Sequence, residues 1–277
     1  MQLFYAPDIT APEYTLNEEE SKHCIRVLRL ANGERLHITD GRGNMHLCEI
    51  IDASPKRCRV RIIETQHEFE RMPYKLVMAV APTKNIERFE WFLEKATEVG
   101  VGEVIPLECA RSERRTIKHD REEKVITAAV KQSLKAYHPL LHEMTPFRKA
   151  VEMPFDGRRF IAHCDASAGA RAYLPSQLAA GENIMVFIGP EGDFSPEEIA
   201  FAVGHGIEPI TLGNQRLRTE TAGVVAAVMV AVANGECGTR NGGISEDSGC
   251  GRGNVSNRKI GNGTENGGGT EIGSEQK

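Results

Sequence analysis

What this 277-residue chain lacks narrows its class before any motif is read. It has no run of 18 apolar residues, the least that a membrane-spanning helix needs. Its most apolar stretch, residues 222–233, is too short for that and fits a buried core helix. The opening MQLFYAPDIT has no basic start followed by an apolar core, so it does not read as a secretory signal. The cysteines (Cys24, Cys48, Cys58, Cys109, Cys164, Cys237 and Cys250) form no C-x-x-C, which argues against a zinc ribbon and a thioredoxin-like pair. Free thiols in a reducing cytoplasm are the expectation. An excess of basic charge is missing too: 34 lysines and arginines face 39 acids, a net −5, so the chain is no uniformly basic coat for nucleic acid. No G-x-G-x-x-G follows a strand and no Walker A occurs, leaving a nicotinamide or nucleoside-triphosphate site without support. G-x-S-x-G is absent, which removes the hydrolase elbow. His138 and His142 straddle Pro139, which spoils a helical pair, and no metal site is expected.

What is present divides the chain in three. Residues 34–40, 45–52 and 57–64 are short β-type runs, the first two joined by the turn Gly41-Arg42-Gly43-Asn44. Residues 18–30 read as a short basic helix or turn before them. Several short strands suggest a small barrel over residues 1–70. After a polar stretch with Pro73 the pattern changes to alternating strands and helices. Strands are predicted at 75–81, 103–107, 159–164, 184–188 and 207–212 and helices at 85–99, 121–137, 195–203 and 219–233. That alternation predicts an α/β domain with a mostly parallel sheet over residues 75–234. The final 44 residues, from Asn234, hold 13 of the 27 glycines and six asparagines, a composition that cannot offset its ordering entropy. Residues 235–277 are therefore expected to be a disordered tail.

Two loops carry the chemistry. Ile188-Gly189-Pro190-Glu191-Gly192 follows the apolar strand IMVFI, and Ser195, Pro196 and Glu198 then read as a capping box opening the next helix. Leu212-Gly213-Asn214-Gln215-Arg216-Leu217-Arg218 follows the next strand and runs into the apolar helix. Thr219 or Thr221 is the candidate cap of that helix, and Glu220 suits its first turn. Both loops belong at the carboxyl edge of one sheet, where α/β proteins bind ligands. Basic residues cluster at Arg26 and Arg29, at Arg57, Arg59 and Arg61, and at Arg111, Arg114 and Arg115. Each cluster suits either a solvated face or phosphate contacts.

IGPEGDFSPEEI (residues 188–199) and LGNQRLRTETA (residues 212–222) are the specific part of a resemblance that runs from about residue 4 to residue 234. HCIRVLRLANGE, FEWFLEKATEVGVGEVIPL, SERR and KQSLKAYHP add to it. The chain resembles the RsmE family, which methylates N3 of a uridine in 16S ribosomal RNA of the small subunit. That resemblance implies a PUA-like barrel followed by a SPOUT methyltransferase domain with a knotted cofactor site, S-adenosylmethionine (SAM) as cofactor, and a homodimer. It assigns Ile188, Gly189, Pro190, Glu191, Gly192, Leu212, Gly213, Leu217 and Thr221 to the cofactor, glycine allowing close main-chain approach. Arg218 is assigned to the uracil anion and Glu220 to positioning or accepting the proton. Arg26, Arg29, Arg57, Arg59, Arg114 and Lys135 are assigned to RNA, Lys135 standing where many relatives have arginine. Another SPOUT-type RNA methyltransferase, or a non-catalytic ribosome-associated RNA-binding factor, is the alternative.

Overall fold

The structure is a computed structural model in which residues 2–10, 12–165 and 169–235 are described. The expected tail, apart from Gly235, lies outside the described residues, as do Cys237 and Cys250.

The first sheet has strands β1 (Leu3–Tyr5), β2 (Glu13–Thr15), β3 (Arg35–Thr39), β4 (Met45–Asp52) and β5 (Arg59–Gln66), in the order β1-β3-β4-β5-β2. Alternation puts Leu36, Ile38, Cys48, Ile50 and Val60 on its inner side, packed with Phe4 and Leu16. The predicted basic helix is two pieces. An α-helical turn, α1 (Glu18–Lys22), is capped by Asn17, whose side chain accepts from the Glu20 N–H at 2.8 Å. It continues as a π-helical turn over His23–Val27. The widened turn leaves Cys24 fully buried and its neighbours Arg26 and Val27 outside. β1 and β2, three residues each, are too short for any periodicity to betray them.

The second sheet is built from β6 (Leu76–Val80), β7 (Glu103–Glu108), β10 (Arg158–Ala162), β12 (Ile184–Ile188) and β13 (Glu208–Thr211), with the two-residue strands β8 (Leu140–Leu141), β9 (Thr145–Pro146) and β11 (Ala172–Tyr173) at its margins. Its order is β11-β13-β10-β12-β6-β7-β8, and every pairing is parallel. Strands β6 and β12 are apolar at every position because both faces are covered. Leu76, Met78, Val80, Ile184, Val186 and Ile188 meet the helices α2 (Ile86–Val99), α3 (His119–Gln132) and α6 (Thr219–Ala233). Val77, Ala79, Met185 and Phe187 point the other way, to α4 (Phe147–Glu152) and α5 (Pro196–Gly204).

Helix α3 stops at Gln132, short of the predicted residue 137, because Leu134 takes a left-handed conformation at φ 58°. The segment it frees, residues 134–138, joins the two sheets. The Thr39 hydroxyl donates to the Ala136 carbonyl at 3.0 Å, the Gly43 N–H donates to the same carbonyl at 2.9 Å, and the His138 N–H donates to the Gly41 carbonyl at 2.9 Å. Tyr5 stacks on His138 at 4.9 Å between ring centroids. Lys131 adds an ion pair to Glu20 at 2.8 Å. The motif KQSLKAYHP is thus a junction between modules, built of backbone hydrogen bonds and ring packing.

Candidate active site

Parallel strands deliver their following loops to one edge. The loops after β6, β10, β12 and β13 therefore meet there, and β12 lies between β6 and β10. That is a switch point, since the chain leaves β6 toward β7 on one side and later returns to β12 and β10 on the other. A cleft of about 450 Å³ opens at this edge, within the range of small-molecule sites.

Each wall is held by identifiable bonds. In the loop after β12, Asp193 sits at φ 62°; its carboxylate accepts from the Phe194 N–H at 2.8 Å and from the Cys164 N–H of the β10 loop at 2.7 Å. Ser195 and Glu198 form the capping box that starts α5, with reciprocal bonds of 3.2 and 2.9 Å, worth about 1 kcal/mol. The other Glu198 oxygen accepts from the Ala110 N–H at 2.8 Å. Arg111 donates to the carbonyls of Gly192 and Phe194 at 2.9 and 3.2 Å. The loop after β6 is tied in from both sides. Its Lys84 N–H donates to Glu191 Oε1 at 2.9 Å, and Arg114 donates to the carbonyls of Thr83 and Lys84 at 3.0 and 2.7 Å.

Of the residues assigned to the cofactor, Ile188, Gly189, Pro190, Glu191, Gly192, Leu212, Gly213 and Leu217 line the cleft, with Arg218. Thr221 and Glu220 do not. The cap expected of Thr219 or Thr221 is absent: α6 starts from Arg218 with no side-chain cap. Thr219 instead turns its hydroxyl to the Gly189 carbonyl at 3.1 Å, joining the two cleft loops. Glu220 is buried, with Oε2 unpartnered and Oε1 3.9 Å from Arg88 Nε.

The space around the two glycines of the first loop is set by protein neighbours. A Cβ on Gly189 would meet the Phe194 ring and N–H at 3.1 Å, and one on Gly192 would meet the Arg111 side chain at 3.4 Å. Both directions lead into protein, while the two glycines themselves line the cleft. Gly213, at φ 131°, is the one whose backbone conformation favours glycine.

The cleft also takes residues to which no role was assigned. Arg88 lies on α2 and Arg216 in the second loop. His163, buried behind β10, has its pKa lowered by burial and then by the Arg171 guanidinium, which keeps the ring neutral at neutral pH. Nothing in the sequence around β10 marks its loop as part of the site; only strand order brings it between the two glycine loops.

The residues assigned to RNA are dispersed. Arg26, Arg29 and Arg57 are exposed on the first module. Arg59 is exposed but shares Glu13 with Arg61, at 2.7 and 3.1 Å. Arg114 is committed to the two carbonyls of the β6 loop, and Lys135 lies at the junction between modules, beside a second cavity of about 390 Å³.

A small β module in front of a three-layer parallel α/β domain, with its cleft at a switch point between two glycine loops, defines the class. Residues 70–231 match the family model described as an RNA methyltransferase domain, and residues 16–63 match the one described as an RNA methyltransferase PUA domain. A Porphyromonas gingivalis structure described as a probable rRNA-methyltransferase is 41% identical, with a TM-score of 0.79 over 85% of this chain and 99% of that one. A methyltransferase structure from Legionella pneumophila, in complex with SAM, is 28% identical, with a TM-score of 0.74 over 83% and 97% of the two chains. Among curated relatives, ribosomal RNA small subunit methyltransferase E of Bacillus subtilis is 26% identical over 227 residues, covering 78% of this chain and 88% of the relative. Its Synechocystis namesake is 28% identical over 236 residues, covering 83% and 76%. The chain belongs to the family of ribosomal RNA small subunit methyltransferase E, a group with the SPOUT fold.

Proposed function

We propose that the chain transfers the methyl group of SAM to N3 of a specific uridine in 16S ribosomal RNA of the small subunit. The class of reaction, SAM-dependent methylation of ribosomal RNA, comes with the family. The cleft fits that cofactor in volume and in character. Ile188, Leu212 and Leu217 offer apolar surface, and the backbone of both loops offers hydrogen-bonding groups beside it. Bound there, SAM supplies an electrophilic methyl group.

The remaining steps fall to the protein. N3 of uridine is a weakly acidic N–H on the Watson–Crick edge, so the base must be unpaired or flipped out to reach the cleft. Its proton passes to solvent as N3 attacks the methyl carbon, which would leave S-adenosylhomocysteine behind, and negative charge develops on the uracil ring. Arg218, exposed at the lip of the cleft, is placed to stabilise that charge. The observation that carries this reading is the meeting of three arginines, Arg218 with Arg88 and Arg216, in one cleft with the apolar Ile188, Leu212 and Leu217 and the acidic Glu191 and Asp193. Arg26, Arg29 and Arg57, exposed on the first module, are assigned to phosphates of the same RNA.

The protein acts as a homodimer in the cytoplasm. In support of a dimer, Val232 near the end of α6 is 57% exposed, with Val224 and Met229 of that helix only partly covered. No helix of the described residues is long and apolar enough to cross a membrane. Transfer of labelled methyl from SAM to small-subunit RNA, followed by nucleoside analysis, tests the reading. 3-Methyluridine is expected; a methylated ribose or another methylated base would overturn it.

A further inference from the structure

We propose that Arg88 is a second cation of the methyl-transfer cleft, contacting the uracil as it gains negative charge, and that Glu220 acts through it as a positioning residue. The proposal rests on the reading above and adds to it a residue and a division of roles.

Four observations converge on Arg88. It lines the cleft, whereas Glu220 does not. Its Nε lies 3.9 Å from Oε1 of Glu220, a carboxylate that is 7% exposed and whose other oxygen has no partner. A buried carboxylate oxygen without a hydrogen bond is costly unless a cation compensates the charge, and the Arg88 guanidinium lies beside this one. The helix register holds the two together. A Cβ on Gly223 would come within 2.7 Å of the Phe92 ring, so α2 and α6 touch closely at that point. Arg88 is one turn before Phe92, and Glu220 is about one turn before Gly223, which sets them side by side at the cleft end of both helices. Finally, the start of α2 is anchored. Asn85 caps it, accepting from the Glu87 N–H at 3.2 Å, while Glu191 and Arg114 hold the preceding loop.

An arginine so placed is preorganised: its charge is oriented before substrate arrives, so little reorganisation accompanies the reaction. Glu220, behind the cleft wall, meets no substrate directly. It fixes where the Arg88 guanidinium points and keeps that side chain from following the solvent.

The test compares wild type, Arg88→Gln, Arg88→Lys, Glu220→Gln and the Arg88→Gln/Glu220→Gln double variant. Methylation is measured at saturating RNA across pH, SAM binding by calorimetry, and RNA affinity against salt. Arg88→Gln is expected to lower the saturating rate on the order of 10²-fold and to move the rise of rate to higher pH, since the bound uracil is then harder to deprotonate. Affinity for SAM should stay within about twofold, and Arg88→Lys should restore part of the rate. Glu220→Gln should show a smaller shift of the same kind and add little in the Arg88→Gln background. Three results would overturn the proposal: a full saturating rate with a flatter salt dependence, which makes Arg88 a phosphate contact; loss of SAM affinity, which places it in the cofactor pocket; or additive effects of the two changes, which uncouples Glu220 from it. Should Glu220→Gln fail to fold, Arg88→Gln and Arg88→Lys decide the matter, because Arg88 is 42% exposed on its side chain. Wild type that forms no 3-methyluridine overturns the function; wild type that forms it, matched by Arg88→Gln, overturns only the Arg88 assignment.

Discussion

Two glycine-containing loops show opposite constraints. The turn at residues 41–44 reads as an ordinary hairpin, while the loop at 189–192 reads as a ligand cradle. In the structure the hairpin is the more confined of the two. A Cβ on Gly43 would lie 2.5 Å from the Tyr137 ring, and one on Gly41 would lie 2.8 Å from Tyr5 and 2.9 Å from the His138 Cβ, with both glycines at positive φ. The Cβ direction of Gly192 meets only the Arg111 side chain, at ordinary van der Waals distance, and its φ is unremarkable. Glycine at the junction lets one module's backbone dock against another's rings. Glycine at the cleft shapes a loop whose anchoring comes from Arg111, Asp193 and Glu198. A turn signal therefore says where a chain reverses, and the neighbours it reverses against set the cost of changing it.

That contrast can be broken or sharpened experimentally. Gly43→Val should have the largest effect. A β-branched residue at φ 99° against a ring with no room combines backbone strain with overpacking, on the order of 4 kcal/mol in all. Thermal unfolding should show a midpoint lower by about 10 °C; a loss under 1 kcal/mol would mean the junction yields readily.

Arg218→Ala comes next, at the cleft and in rate rather than stability. Loss of one anion-stabilising contact should cost on the order of 10²–10³ in single-turnover methylation, with most SAM affinity retained by calorimetry. If SAM binding is lost instead, Arg218 belongs to the cofactor pocket.

Glu122 gives a pH-dependent effect away from both loops. It is fully buried in α3 with neither carboxyl oxygen hydrogen-bonded. Burial first, then the nearby Glu90 carboxylate, pushes its pKa from 4.5 up to about 7, against the pull of Arg121 and Arg114. The folded state thus holds a proton that the unfolded chain releases. Stability falls as pH rises from 4.5 to about 7 and stays reduced above that. Glu122→Gln removes the penalty, so at pH 8 denaturant unfolding should show a gain on the order of 1–3 kcal/mol. The gain should vanish near pH 4.5.

The smallest effect belongs to Gly192→Ala. With its Cβ at 3.4 Å from a movable side chain, stability should change by no more than about 0.5 kcal/mol, and SAM affinity should hold within about twofold. A large loss of SAM affinity would mean that the cofactor lies against this glycine's Cα.

Much of the fold was legible locally. Strand 184–188 and helix 219–233 have their predicted limits, because apolar runs bounded by glycine and charge leave few alternatives. The capping box at Ser195 was readable for the same reason: its chemistry lies within four residues. Helix α4 was missed, since its six residues begin at Phe147 after Pro146 with no capping side chain. Arg88 was missed because, on an amphipathic helix, a cation near the start looks like any solvated charge. The clue would have been Lys84-Asn85 ahead of it, a charged loop and a helix cap at the carboxyl edge of the sheet.

The sequence by itself determined the longer elements, the apolar strands that must be covered on both faces, and the two loops that flank the cleft, since each depends on residues close along the chain. Only the tertiary structure decided which charges line the cleft. Strand order set the β10 loop with His163 between the two glycine loops. The contact of Gly223 with Phe92 brought Arg88 beside Glu220, and Arg114 went to the carbonyls of Thr83 and Lys84. A charged side chain is assigned by whatever polar partner packing brings within reach, and partners from 30 to more than 130 positions away leave no trace in local pattern.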